Sequence, residues 1–122
     1  GLYTIGYGST YNWDKNRPVI STDVIDDVTA LNWLRKEIST RSTEIKKFIK
    51  VPVNQNMFDS LTSLAFNIGT NAFKKSTLLR LLNLGSNKNL VADEFLKWNK
   101  VKGNIVPGLT NRRILEKELF LK

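Results

Sequence analysis

The 122 residues include neither histidine nor cysteine. That removes imidazole general-base chemistry, serine–histidine triads, thiolate nucleophiles, disulfides and the commonest metal ligands. Carboxylates, hydroxyls, lysines or a bound cofactor must carry any chemistry. The eleven acids are Asp14, Asp23, Asp26, Asp27, Asp59, Asp93, Glu37, Glu44, Glu94, Glu116 and Glu118. Asp23, Asp26 and Asp27 read as first-turn helix acids, and Glu37, Glu44, Glu116 and Glu118 lie among lysines and arginines on helix faces. No two stand out as an acid–base pair. Gly6-Tyr7-Gly8 opens like a dinucleotide fingerprint but lacks the third glycine and the helix that should follow, and there is no Walker loop. No metal site and no cofactor is expected. Thr4, taken alone, reads as a β-branched strand residue.

The elements that would position such groups follow from the hydrophobic pattern. Residues 1–20 are the only β-like stretch, with Leu2, Tyr3, Thr4, Ile5 and Tyr7 interleaved by Gly6 and Gly8, then Tyr11, Trp13 and a polar turn. A hairpin or a small three-stranded sheet is predicted there. Ser21-Thr22 offers a helix cap, and Val24, Val28, Leu31, Leu34 and Ile38 repeat at helical steps. The pattern breaks at residues 39–42 and resumes at Ile45, Phe48 and Ile49 before Pro52. Asn54 caps a central helix with Phe58, Leu61, Leu64, Ala65 and Ile68 on one face and Gly69 at its end. Ser76 and Asn87 cap two more, the second running to Trp98. Lys100 to Asn104 reads as a polar turn, and Pro107 opens a last helix through Phe120. Phe58, Phe66, Phe73 and Phe95 fit core spacing. A β-element followed by about five helices argues for an α+β fold.

The length suits one domain, 1–122, and 41% apolar with 25% charged residues suits a folded globular chain. No apolar run is long enough for a transmembrane span. The formal charge of +8 favours polyanionic partners without choosing among nucleic acid, an anionic membrane or an anionic cell wall. The basic residues are spread along the chain, so only weak, non-specific nucleic-acid binding is expected.

Thr4-Ile5-Gly6-Tyr7-Gly8-Ser9-Thr10 resembles the Thr-Ile-Gly-Tyr-Gly-His-Thr signature of the phage lysozymes, the muramidase endolysins of tailed phages and prophages. Val53 to Leu61 and Ala65-Phe66-Asn67-Ile68-Gly69 resemble that family's central helix. Ser76-Thr77-Leu78-Leu79, Phe95 to Lys100, Pro107-Gly108-Leu109 and Arg112-Arg113 through Phe120 are similar in order and spacing. The resemblance implies a lysozyme-like fold, with residues 1–20 a small β-lobe, residues 23–48 leading out of it, residues 54–120 a mainly helical lobe, and a cleft between. It implies cleavage of the β-1,4 bond between N-acetylmuramic acid and N-acetylglucosamine in peptidoglycan, in the host cytoplasm and then the periplasm or wall.

The family signature is a Glu, an Asp about nine residues later and a Thr about six after that. The Thr falls on Thr4, and the other two fall before Gly1. The expectation is therefore that residues once preceded Gly1, that the chain alone is inactive or nearly so, with Asp14 the first substitute acid to test, and that it is a monomer once that segment is present. Gly6, Tyr7, Gly8 and Asn67 are expected at the substrate, the glycines letting backbone approach sugar. Asn67 can equally be a helix-end cap, and Asn99 a sugar contact or a turn residue. Arg112 and Arg113 can face the anionic wall or pair with Glu116, and pairing is favoured. A non-catalytic wall-binding module is the alternative. An exposed apolar patch around Leu109 and Leu119 is also expected.

Overall fold

The computed structural model describes residues 3–38 and 42–122. In chain order these form β1 (Tyr11–Asn12), β2 (Arg17–Pro18), α1 (Asp27–Ile38), α2 (Thr43–Phe48), α3 (Gln55–Ile68), α4 (Thr70–Lys74), α5 (Thr77–Asn83), α6 (Lys88–Phe95), β3 (Lys100–Val101), β4 (Asn104–Ile105) and α7 (Pro107–Leu121). The strands make two antiparallel two-stranded sheets, β1 with β2 and β3 with β4. Ahead of β1, Ile5 bridges Ser9 across a tight turn. The architecture is α+β, as expected.

Local chemistry sets most helix ends. The Asn54 side chain accepts from Met57 N at 2.8 Å, Ser76 Oγ from Leu79 N at 3.1 Å, and Asn87 Oδ1 from Asn89 N at 2.8 Å. Each satisfies an amide that the first helical turn leaves open. Gly69 ends α3 with its φ at +95°, and Pro107 opens α7.

Five expectations are corrected. The first helix starts at Asp27, not after Ser21-Thr22. Asp26 caps it, accepting from Thr29 N at 2.7 Å, while Asp23 is taken by Arg17 in a two-pronged ion pair at 2.8 and 2.9 Å. Its apolar face also differs: Val24 is 89% and Val28 70% exposed, and Ala30, Trp33, Leu34 and Ile38 are the buried set. The polar turn at Lys100 to Asn104 is a second hairpin. Lys102 and Gly103 both have positive φ, the geometry of a two-residue hairpin turn. The chain adds α4 between α3 and α5, and α6 ends at Phe95 instead of Trp98. Of the polar break expected at residues 39–42, positions 39–41 lie outside the described residues.

The larger core joins Leu61, Leu64 and Ala65 of α3 to Phe73, Leu78, Leu82, Val91, Phe95 and Phe120. The smaller one joins Tyr7 to Ala30, Leu34, Ile38 and Leu119, with Phe66 packed against both. Leu119 is only 1% exposed and Leu109 is half-buried, so neither forms an exposed patch by itself. The apolar side chains of α1 and α7 that do face outward are Val28, Ile114 and Leu121. α3 is buried on every face at its middle, with α7 its most extensive partner.

Candidate active site

The turn at residues 5–9 is held by Ile5 N donating to Ser9 O and Ser9 N to Ile5 O, each at 3.0 Å. Its two glycines serve the protein's own packing. Gly6 has φ +61°, and a Cβ there would lie 2.8 Å from Ala30 Cβ, so the turn seats directly on α1. Gly8 has φ +90°, and a Cβ there would lie 1.8 Å from Arg112 Nη1 of α7. These close approaches are to α1 and α7, which supplies a reason for the glycines that residue spacing did not show. Tyr7 between them is buried in the smaller core. Burial, followed by the carboxylates of Asp27 and Glu116, pushes its phenol up to about 12.

Thr4 is exposed and lines a cavity of about 520 Å³ with Gly6, Gly8, Asn67, Asn111 and Arg112. Tyr7, Gly8 and Asn67 also line a groove of about 630 Å³, which adds Trp13, Lys36, Glu37, Ser63, Phe66 and Arg112. Gly8, Asn67 and Arg112 are common to both, so the two spaces share one wall. Four of the five residues singled out from the sequence, Thr4, Gly6, Gly8 and Asn67, thus meet at one cavity from positions more than sixty residues apart. Tyr7 reaches only the groove.

Sequence reasoning did not single out Trp13 or Glu37 for the site, and for Arg112 it favoured pairing with Glu116 over facing the wall. Trp13 is 41% exposed; its Nε1 donates to Glu37 Oε1 at 3.2 Å, and Lys36 Nζ lies 5.6 Å from its ring centroid. Glu37 is the one carboxylate among the described residues lining either space. Asp14 lines neither and lies 3.5 Å from Trp33 Nε1.

Arg112 is fixed from behind. Its Nη2 donates to Ser63 O at 2.9 Å and its Nε to Glu116 Oε2 at 3.2 Å. Glu116 is fully buried and also accepts from the Ser63 hydroxyl and, at 3.0 Å, from Arg113 Nη2. Arg113 Nε approaches Glu116 Oε1 at 2.6 Å without hydrogen-bond alignment, so that contact is Coulombic. Burial pushes the Glu116 carboxyl up and the Arg113 guanidinium down, while both arginines pull Glu116 back toward its charged form. The expected pairing is therefore present and carries a second consequence: it aims Arg112 at the shared wall. Asn99 is used structurally. Its backbone oxygen accepts from Val106 N at 2.9 Å and its side chain donates to Thr110 Oγ1 at 3.1 Å, closing the second hairpin onto α7.

A small β-lobe, a mainly helical lobe and a groove lined by both define the lysozyme-like α+β class. The chain matches the phage lysozyme family over residues 1–116, and it belongs to that family. It is 43% identical over 124 residues to the endolysin of Acyrthosiphon pisum secondary endosymbiont phage 1, covering 98% of this chain and 80% of that protein. It is 41% identical to the endolysin of Salmonella phage P22, covering 99% and 81%. It is 44% identical to the endolysin of Bacillus phage B103, of which it spans 43%. The muramidase domain of SpmX from Asticaccaulis excentricus superposes with a TM-score of 0.64 at 29% identity, covering all of this chain and 81% of that domain. A P22 lysozyme variant superposes at 0.63 and 39% identity, covering 100% and 82%. The chain is thus of the lysozyme-type glycoside hydrolases, a family that acts on peptidoglycan. No described helix is long and apolar enough to cross a membrane.

Proposed function

We propose that the groove binds a peptidoglycan glycan strand, and that Thr4 helps hold the water that attacks the β-1,4 bond after N-acetylmuramic acid. The observation that carries this reading is the convergence of Thr4, Gly6, Gly8 and Asn67 on one cavity whose wall is also the wall of the groove. Glycoside hydrolysis needs an acid for the leaving oxygen and support for an oxocarbenium-like centre. A threonine hydroxyl cannot donate that proton near neutral pH, so Thr4 is a water-positioning group. The family's acid and its Asp would precede Thr4 by about fifteen and six residues, positions outside the 122.

The test is turbidity clearing of outer-membrane-stripped bacteria by the 122-residue chain and by the same chain carrying a relative's segment ahead of Gly1. The extended form should clear at least ~10²-fold faster, the contribution of a general acid. Thr4→Ala in that form should lose most of the gain. Full clearing by the 122 residues alone would overturn the placement of the acid and make Glu37, inside the groove, the group to test in place of Asp14. A chain that sediments with peptidoglycan but never clears it in either form would be a wall-binding module. On the enzymatic reading the protein works at the host wall after leaving the cytoplasm.

A further inference from the structure

Cations that lie scattered in the sequence are gathered by the fold. Between Glu44 and Lys88 stand Lys46, Lys47, Lys50, Lys74, Lys75 and Arg80, against one carboxylate, Asp59. Asp59 is fully buried and already taken, its Oδ2 accepting from Arg35 Nε at 2.8 Å. The six cations are exposed, and none has a carboxylate partner among the described residues. Asn83 of α5 ties together the segments that carry them. Its Oδ1 accepts from Lys50 N at 2.8 Å and its Nδ2 donates to Phe48 O at 2.9 Å, which sets the end of α2 against α5. Lys74, at the end of α4, reaches the same place, its Nζ 5.7 Å from the Phe48 ring centroid. Leu84 N donates to Arg80 O at 3.1 Å, so Arg80, Asn83 and Leu84 stand one turn apart on one side of α5. Leu84 is 70% exposed. Lys47, Lys50, Lys74 and Arg80 thus share one outward face with an apolar side chain at its border. None of them lines the groove or the Thr4 cavity.

We propose that this face is a docking surface for an anionic lipid bilayer, with the cations at the headgroup phosphates and Leu84 in the interface. Charge complementarity carries the choice of partner. Five of the six cations are lysines, compact charges that meet phosphates without a fixed fork geometry. Each one held near an anionic leaflet adds roughly five-fold to partitioning. An exposed leucine beside them suits a surface with apolar chains behind its headgroups, and finds no apolar partner on a hydrated polyanion. Single-stranded nucleic acid calls for aromatic rings open to stacking; the ring at this face, Phe48, is half-buried under Lys74. The proposal stands apart from the glycan-strand reading, because the face and the groove share no residue.

The experiment sediments the 122-residue chain with vesicles of equal parts phosphatidylglycerol and phosphatidylcholine, and with vesicles of phosphatidylcholine alone. Binding is expected to the first and not to the second, and it should weaken as salt screens the lysines. Lys47→Glu, Lys74→Glu and Arg80→Glu together should lower the partition constant at least ~10²-fold. Lys15→Glu, Lys100→Glu and Lys122→Glu together give the same net charge but spend it in three other places, and should keep the constant within about ten-fold. Far-ultraviolet circular dichroism establishes that each variant is folded. The chain has no cysteine, so Leu84→Cys takes a single environment-sensitive dye. Its emission should move to the blue on the mixed vesicles, and that of a dye at Asn104→Cys in the second hairpin should not. Equal losses in the two triple variants, equal binding to both kinds of vesicle, or a dye on residue 84 that stays in water would each overturn the proposal. Binding to duplex DNA that is tighter than to vesicles at the same salt, and lost in the first triple variant, would overturn it in favour of nucleic acid.

Discussion

The two lobes are held together by different means. The helical lobe has a continuous apolar core through α3, α5, α6 and α7, with one buried ionic cluster set into it. The β-lobe has strands of two residues and keeps its place by seating Gly6 on Ala30 and burying Tyr7 against α1 and α7. Strands so short are not stable alone. The lobe that carries Thr4 thus borrows its rigidity from the lobe that carries Arg112.

The largest break in that contrast is expected at Glu116. Glu116→Gln leaves Arg113 buried beside Arg112 without a counter-charge, a loss of about 3–5 kcal/mol. Chemical denaturation should show the helical lobe itself unfolding early; a loss below about 1 kcal/mol would mean that the arginines find other partners.

Tyr7 tests the joint between the lobes. Its phenol stays neutral in the fold up to about pH 12, against an ordinary value of 10.0. A raised folded value means that its stabilisation is complete below pH 10 and is lost as pH rises from there through 12. The shift corresponds to about 2–3 kcal/mol. Alkaline unfolding followed by near-ultraviolet absorbance should show this late component, and Tyr7→Phe should remove it.

Gly6→Ala should loosen the β-lobe alone. It places a Cβ 2.8 Å from Ala30 Cβ at a positive φ, a strain of about 1–3 kcal/mol. Hydrogen exchange should quicken at the Ile5 and Ser9 amides and stay unchanged in α5 and α6. Equal acceleration everywhere would show that the lobes unfold as one unit.

The smallest effect belongs to Asp23. Arg17, then the Ile20 amide, hold its carboxyl well below the usual carboxylate range. A lowered folded value gives stabilisation that is present above pH 4 and is lost as pH falls below it. Asp23→Asn should remove this acid-dependent step from the hairpin's exchange rates without moving the global unfolding midpoint.

The elements legible in the sequence were those decided within a few residues. Asn54, Ser76 and Asn87 cap, Gly69 stops and Pro107 starts, all through contacts one turn away. What the sequence hid depended on distant partners. Asp23 looked like a first-turn acid until Arg17 claimed it, and Val24 and Val28 kept helical spacing while pointing outward. The hairpin at residues 100–105 buries nothing, so no hydrophobic pattern marked it; Lys102-Gly103 was its one local sign. Thr4, Gly6, Gly8 and Asn67 were singled out through resemblance, but Trp13 and Glu37 were not, because the groove draws its lining from residues 7 to 112. The partners that make Gly6 and Gly8 necessary, Ala30 and Arg112, also lie outside any local window.

That second hairpin has a consequence for how the chain tolerates lengthening. Its four strand residues are exposed, and what closes it is Asn99, which grips Val106 and Thr110 across its base. Residues added between Lys102 and Gly103 would extend into solvent while the base keeps α7 directed back along α3. The entropy of a longer closed loop grows only slowly with length, by roughly 0.6 kcal/mol per doubling. This tip is therefore where a tag, a reporter or a foreign binding module can enter the chain and still leave Arg112 facing Gly8.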